Sequence, residues 1–276
     1  MISESLALGK RALLKWVRNP FAVIVTSIQA LFWLALFGAS FNPANALGSS
    51  SGGSLGPLQQ AFGGVPNYIT FLAPGVIGLV ALTGMSFMGV DLVFDRINGY
   101  TDTLRAFPIP RTSIYFGGVI QNVAKGMVAA PITFALALVI PDGMKLVNGF
   151  GMLSLIAVFG VVALLTAVFA TFFTGIAISV KSTDSFFAAI NFLTFPIMFT
   201  SSAFFPLSFF PDWLKPVAQA NPITLASNAM RLLIVNSTLS ASQVQAFAGD
   251  VAGLAAFGVV FTFLGIMMAR NALRAR

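Results

Sequence analysis

Residues 152–180 read MLSLIAVFGVVALLTAVFATFFTGIAISV, with no charged side chain anywhere in the stretch. As a helix rising about 1.5 Å per residue it would be roughly 40 Å long, more than the ~30 Å hydrocarbon core of a bilayer. Working outward, further apolar runs cover 21–41, 69–90, 114–140, 186–205 and 247–268. The expected fold class is therefore all-α: a polytopic membrane protein with six transmembrane helices forming one transmembrane domain over 1–276. Composition agrees, since 57% of residues are hydrophobic and only 8% charged, against roughly a quarter charged in soluble domains.

Orientation follows from where the cations fall, because positive charge accumulates on the cytoplasmic side. If the N-terminus lies inside, eleven Lys/Arg occupy inside segments: Lys10, Arg11, Lys15 and Arg18; Arg96, Arg105 and Arg111; Lys181; and Arg270, Arg274 and Arg276. Only Lys145, Lys215 and Arg231 fall outside, and Lys125 lies within a span. Both termini are expected to be cytoplasmic. Basic residues that flank spans, rather than forming one patch interleaved with aromatics, also account for the net charge of +7 without a nucleic-acid partner. Before the first span, residues 1–19 form an amphipathic interface helix: Leu6, Leu13, Leu14 and Val17 share one side, beside Arg11, Lys15 and Arg18. Such a helix rests on anionic headgroups or touches a cytoplasmic partner. The apolar run 21–41 exceeds the 7–15-residue core of a signal peptide, so it is expected to be retained.

Chemistry is limited by what is missing. With no Cys and no His, thiolate or imidazole metal sites and Ser-His-Asp or Cys-His pairs are excluded. The eight acidic residues are too dispersed to set two carboxylates facing each other within a span, so no catalytic residue, no metal site and no cofactor in this chain are expected. A loop that cradles ATP phosphates, Gly-x-x-x-x-Gly-Lys-Ser/Thr, occurs nowhere.

The densest charge lies between the second and third spans, in 91–113, which must meet water or a partner. It reads Asp95-Arg96-Ile97-Asn98-Gly99-Tyr100-Thr101-Asp102-Thr103-Leu104-Arg105-Ala106-Phe107-Pro108. With Arg18-Asn19-Pro20, Phe71-Leu72-Ala73-Pro74-Gly75, Asn221-Pro222-Ile223-Thr224 and Ala229-Met230-Arg231 in the same order along the chain, it resembles the ABC transporter type-2 permease family. The resemblance implies that 91–113 is a cytoplasmic coupling loop docking on a separate ABC ATPase subunit. Asp95, Arg96, Gly99, Asp102, Leu104 and Arg105, with Arg11 and Lys15 of the interface helix, are then the ATPase-coupling residues. It further implies a second permease copy or paralogue, ATP and Mg on the partner ATPase, a plasma-membrane location among membrane lipids, and outward movement of an amphipathic compound, lipid or lipid-linked glycan. Region 204–231, rich in proline and aromatics, is by the same likeness a re-entrant hairpin, and by its residues alone an external loop with an aromatic belt.

Embedded polar residues supply the pathway or interface candidates. Lys125 falls about 16 Å into the third span, near the midplane, with Gln121 and Asn122 on the same helical face. An ionisable group there is either functional or a snorkelling or packing residue. Gln29, Asn191 and Thr194 are similar candidates, and such side chains also serve as packing glue. The rival readings are an ion-coupled transporter or channel built on Lys125, and a membrane scaffold without transport.

Overall fold

The computed structural model describes residues 14, 18, 20–40, 62, 65–97, 111–146, 150–180, 182–236 and 238–274. Every regular element among them is helical: α1 (Pro20–Ser40), α2 (Tyr68–Ile97), α3 (Arg111–Val139), α4 (Met152–Ser179), α5 (Thr183–Phe199), a 3-10 turn (Leu207–Phe209), α6 (Lys215–Ala220), α7 (Pro222–Val235) and α8 (Ala241–Arg274). The chain is an all-α, polytopic membrane protein. Three stretches among the described residues are long and apolar enough to cross a bilayer: Tyr115–Val139, Met152–Ser179 and Ala241–Asn271. Shorter apolar stretches are Ser27–Gly38, Tyr68–Gly84, Thr183–Phe199 and Pro222–Val235.

Helix α2 is the hub, packed by α1, α3, α4, α5 and α7. From Tyr68 to Leu82 its side chains are almost all buried, as expected of a helix that is apolar on every side. Lipid tails are as apolar as leucine, so exclusion of water does not hold these helices together; close van der Waals approach and interhelical hydrogen bonds must. Glycines make that approach possible. A methyl group at Gly75 would sit on the Ala203 backbone, 2.6 Å from its Cα, and one at Gly78 would lie 3.0 Å from Ile223 Cγ2.

The relative directions of α4 and α8 constrain the rest of the topology. Gly258 lies against Val168, Phe261 stacks on Phe172 at 4.5 Å, and Gly265 meets Gly175 backbone to backbone. Residue numbers rise together along both helices, so α4 and α8 are parallel. The intervening chain must return to the Met152 end of α4 before α8 begins. Helix α5 makes the return, and 200–240 turns within that end. Helices α1 and α2, by contrast, are antiparallel: Gly38 abuts Ile69, and the Thr83 hydroxyl lies 3.2 Å from Gln29 Oε1.

Several helix ends fall elsewhere than the ends of the expected spans. Residues 91–97 and 111–113 are helical ends of α2 and α3, so the charged stretch begins on a helix instead of being loop throughout 91–113. Helix α5 stops at Phe199, not 205. Thr200 N–H still makes the helical bond to Pro196 O at 2.9 Å, but Ser201 turns its N–H and Oγ back to Met198 O at 3.3 and 2.7 Å and Asn221 Nδ2 donates to Ile197 O at 2.7 Å, satisfying carbonyls that a longer helix would have used. Helix α8 starts at Ala241, not 247, on a capping box: Gln243 Oε1 accepts from Ser240 N–H at 2.9 Å and Ser240 Oγ from Gln243 N–H at 3.4 Å. Asp250, within the expected 247–268 span, lies nine residues into α8 and is half-buried.

Candidate functional site

Of the residues assigned to ATPase coupling, Arg11, Lys15, Gly99, Asp102, Leu104 and Arg105 lie outside the described residues. Asp95 and Arg96 fall on the last turn of α2 by backbone. Segment 98–110 therefore begins directly where α2, an unbroken helix of 30 residues, ends.

The polar face of α3 is enclosed. Gln121, Asn122 and Lys125 are all buried, and Lys125 and Asn122 have no exposed surface at all (0%). Asn122 Nδ2 donates to Thr174 Oγ1 of α4 at 3.2 Å, while Asn122 Oδ1 has no hydrogen-bond partner among the described residues. An orphaned buried carbonyl costs about 1–3 kcal/mol relative to a satisfied one, so this contact is energetically incomplete. Asn191 and Thr194 part company: Asn191 is exposed on the surface of α5, whereas Thr194 is buried. Gln29 is partly buried and meets α2 at Thr83.

One turn into α3, the Tyr115 hydroxyl donates to Thr171 O at 2.9 Å. Directly beside it a methyl group at Gly265 would overlap the Tyr115 hydroxyl and lie 2.5 Å from Thr171 O. Helices α3, α4 and α8 thus converge where no side chain larger than hydrogen fits at 175 or 265.

The opposite junction assembles two motifs that were quoted for their likeness but given no role. Asn221 caps α7, accepting from Ile223 N–H at 2.9 Å, with Pro222 pre-set for the first helical turn. Its amide donates to Ile197 O at 2.7 Å and Thr200 Oγ1 at 3.0 Å, which seats the turn between α6 and α7 on the end of α5. From there α7 runs antiparallel to α2: Ile223 packs at Gly78, and eight residues later Arg231 reaches Phe71. Gly78 is ten residues, about 15 Å, along α2 from Tyr68, so α6 and α7 form a hairpin whose tip is deep in the bundle.

Arg231 closes this junction. Its Nε donates to Phe71 O at 3.0 Å, Nη1 to Ser202 Oγ at 3.2 Å and Asn228 Oδ1 at 3.1 Å, and Nη2 to Ser202 O at 2.7 Å. The guanidinium carbon also stands 3.7 Å over the Phe71 ring, a cation–π arrangement. Around it, Tyr68 donates to Phe204 O at 2.9 Å and Ser202 N–H to Thr224 Oγ1 at 2.8 Å. Asn67 Nδ2 donates to Asp142 O and Gly143 O at 2.6 and 2.8 Å, and Lys145 N–H donates to Thr70 Oγ1 at 2.9 Å. Those last three bonds bring the turn between α3 and α4 to the same end of α2. Sequence reasoning passed over Arg231 because its acceptors Ser202 and Phe71 lie 29 and 160 residues away; the only signal was that Phe71 and Arg231 both lie in family-like motifs.

At the surface of this end, Asp212 and Lys215 pair at 2.7 Å. The hydrogen bond from Lys215, then its charge, holds the Asp212 carboxyl below the usual carboxylate range. No group of three or more acidic side chains that could hold a metal ion occurs among the described residues.

Comparison with known proteins accords with this arrangement. The family model described as ABC-2 type transporter matches residues 4–235. A ycf38 transport permease of Cyanophora paradoxa is 27% identical over 99% of this chain and 90% of its own length. The daunorubicin resistance ABC transporter permease protein DrrB1 of Streptomyces coeruleorubidus is 23% identical over 84% of this chain and 75% of its own. ABC transporter G family member 20 of Dictyostelium discoideum is 27% identical over 61% of this chain and 23% of its own. The chain belongs to the ABC-2 type transporter family and is a multi-pass membrane permease subunit of an ABC transporter.

Proposed function

We propose that this chain is the permease of an ATP-driven exporter, pairing with a second permease copy or paralogue and with two cytoplasmic ABC ATPases that bind ATP and Mg. The observation that carries this reading is the course of α2, one continuous helix from the Arg231 junction to the edge of the charged segment 98–110. A stiff helix delivers displacement from one end to the other, where a Gly/Ser linker would absorb it. ATPase closure would bias a two-state equilibrium of the bundle by pushing on Asp95, Arg96, Gly99, Asp102, Leu104 and Arg105, with Arg11 and Lys15 alongside.

In this reading both termini are cytoplasmic, six segments cross the plasma membrane, the fifth being α5 together with the chain that continues to Phe205, and the α6–α7 hairpin dips into the outer leaflet and returns. Helix α7, at 14 residues, is about 21 Å long, too short to cross. Its buried face gives the non-spanning backbone the protein cover it needs. The cargo is an amphipathic compound, lipid or lipid-linked glycan. The resistance permease DrrB1 and the apolar character of the bundle support an amphipath. The face of α1 presenting Ile24, Val25, Ile28 and Phe32, and the face of α5 presenting Phe192, Phe195 and Phe199, are exposed and suit lipid or a second permease.

The test is purification from native membrane in mild detergent, with mass spectrometry for a stoichiometric Walker-motif ATPase. Reversing charge with Asp95→Lys and Arg105→Glu is expected to strip that ATPase while leaving membrane insertion intact. Undiminished co-purification of the variant would remove the docking role, and consistent absence of any ATPase with the natural chain would remove the function.

A further inference from the structure

We propose that Arg231 is a positioning residue that makes α2 and the α6–α7 hairpin a single rigid lever, so that movement imposed at the Ile97 end of α2 reaches the hairpin without loss. The inference deepens the permease reading above and rests on it for the source of the push.

The need for such a brace is built into α2. Pro74 lies inside the helix, where it removes a backbone N–H and its ring crowds the carbonyl of Thr70, the residue four earlier. The first turn and a half of α2 is therefore its weakest point, and an unbraced helix would flex there under load. The contacts of the hairpin straddle that point. Arg231 holds Phe71 O on one side of Pro74, Ala203 is pressed backbone to backbone against Gly75 on the other, and Ile223 fills the space over Gly78 one turn further on. Arg231 also grips both the carbonyl and hydroxyl of Ser202, so one side chain joins α7, α2 and the strand of chain that leads into the hairpin. The guanidinium fork suits this task, since five N–H donors in a fixed plane can serve several carbonyls at once, which a lysine ammonium on a flexible stem cannot.

The chain contains no cysteine, so Gly78→Cys with Ile223→Cys introduces its only thiols. A Cβ at residue 78 lies 3.8 Å from Ile223 Cβ, a separation that suits a disulfide. The experiment uses the full chain with its co-purified ATPase, in vesicles of phosphatidylcholine and phosphatidylglycerol. It is oxidised without nucleotide, with a non-hydrolysable ATP analogue, and after vanadate trapping. A rigid lever gives the same cross-linked fraction in all three states to within about twofold, and the cross-linked complex keeps its ATPase rate to a similar margin, because no separation of α2 from the hairpin is then part of the cycle. A fraction that changes about fivefold or more with nucleotide, or an ATPase rate cut about tenfold by the cross-link, would overturn the proposal.

Adding Arg231→Gln to the double-cysteine chain is expected to slow cross-linking several-fold and make it nucleotide-dependent. Arg231→Lys should behave like the glutamine variant instead of rescuing it, because the fork is lost although the charge remains. Unaltered, nucleotide-independent cross-linking in both variants would remove the assignment to Arg231. If a variant fails to fold, the measurement with Arg231 intact still decides whether the joint is rigid. Failure of the permease reading shows separately, as absence of the ATPase from the purified chain rather than as a change in cross-linking.

Discussion

Arg231 and Asn122 are both polar groups set into an apolar helix bundle, and their surroundings are opposite in kind. Arg231 is well supplied, with two backbone carbonyls, a hydroxyl and an amide oxygen accepting from four of its five N–H groups and an aromatic face beneath the guanidinium. Asn122 is under-supplied, with one bond to Thr174 and an oxygen without a partner among the described residues. In a low-dielectric interior a densely bonded group costs much to displace, whereas one with an unpaired oxygen has less to lose by rearranging. The Arg231 junction is accordingly expected to resist movement more strongly than the Asn122–Thr174 contact of α3 and α4.

The difference can be attacked by substitution, beginning where the largest effect is expected. Gly75→Leu drives a side chain into the Ala203 backbone, and since backbone cannot step aside as a side-chain tip does, the expected cost is about 3 kcal/mol or more. It should appear as loss of monodisperse protein and a large fall in Tm in detergent. Arg231→Met, which keeps the apolar stem but empties the fork, leaves Phe71 O and Ser202 O without that donor. About 2 kcal/mol is expected, read as a lower Tm, and no change in Tm would erase the contrast between the two sites.

How far these sites could be read from sequence depends on the range of the interactions that build them. Helix α4 was legible because an uncharged run of that length has few alternatives. The end of α5 was misplaced because apolarity continues through Phe204 and Phe205 while the helix is stopped where Ser201 bonds back to Met198 O and Asn221 donates to Ile197 O. The first of those signals is local and the second long-range, and neither is hydropathy. The start of α8 was likewise marked by Ser240 and Gln243, a capping pattern hidden by the polar first turns. Gln121, Asn122 and Lys125 were found together because three and four residues make one helical face. Arg231 could not be found in that way, because no periodicity links residue 231 to residue 71; only folding brings them together.

The remaining predictions concern smaller effects. Replacing both partners of the α3–α4 contact, Asn122→Leu with Thr174→Val, removes the orphaned oxygen together with its hydrogen bond. Stability is expected to stay level or rise by about 1 kcal/mol, measured by chemical or thermal unfolding, while nucleotide-driven activity falls if this face rearranges during the cycle. A destabilisation comparable to that of Arg231→Met would mean that the two sites are not different in kind. The smallest effect belongs to the exposed Asp212–Lys215 pair. Because the folded-state pKa of Asp212 is lowered from its ordinary value of 3.8, its contribution is present above that value and lost as pH falls through the lower, folded-state one. Asp212→Asn should therefore change stability slightly at neutral pH and not at all under strongly acidic conditions, as read from Tm against pH.

The lengths of α5 and α8 carry a consequence for the surrounding lipid. Helix α8 has 34 residues and α5 only 17, about 51 Å and 25 Å respectively, on either side of a ~30 Å hydrocarbon core. In the six-span reading proposed above, α5 is the shortest of the crossing helices and α8 the longest, its polar first turns able to stand outside the core. On that reading acyl chains beside α5 and the hairpin shorten or splay while those beside α8 stay extended, so that the membrane thins along one side of the protein. Activity in reconstituted membranes should then respond to acyl-chain length even where headgroups are unchanged.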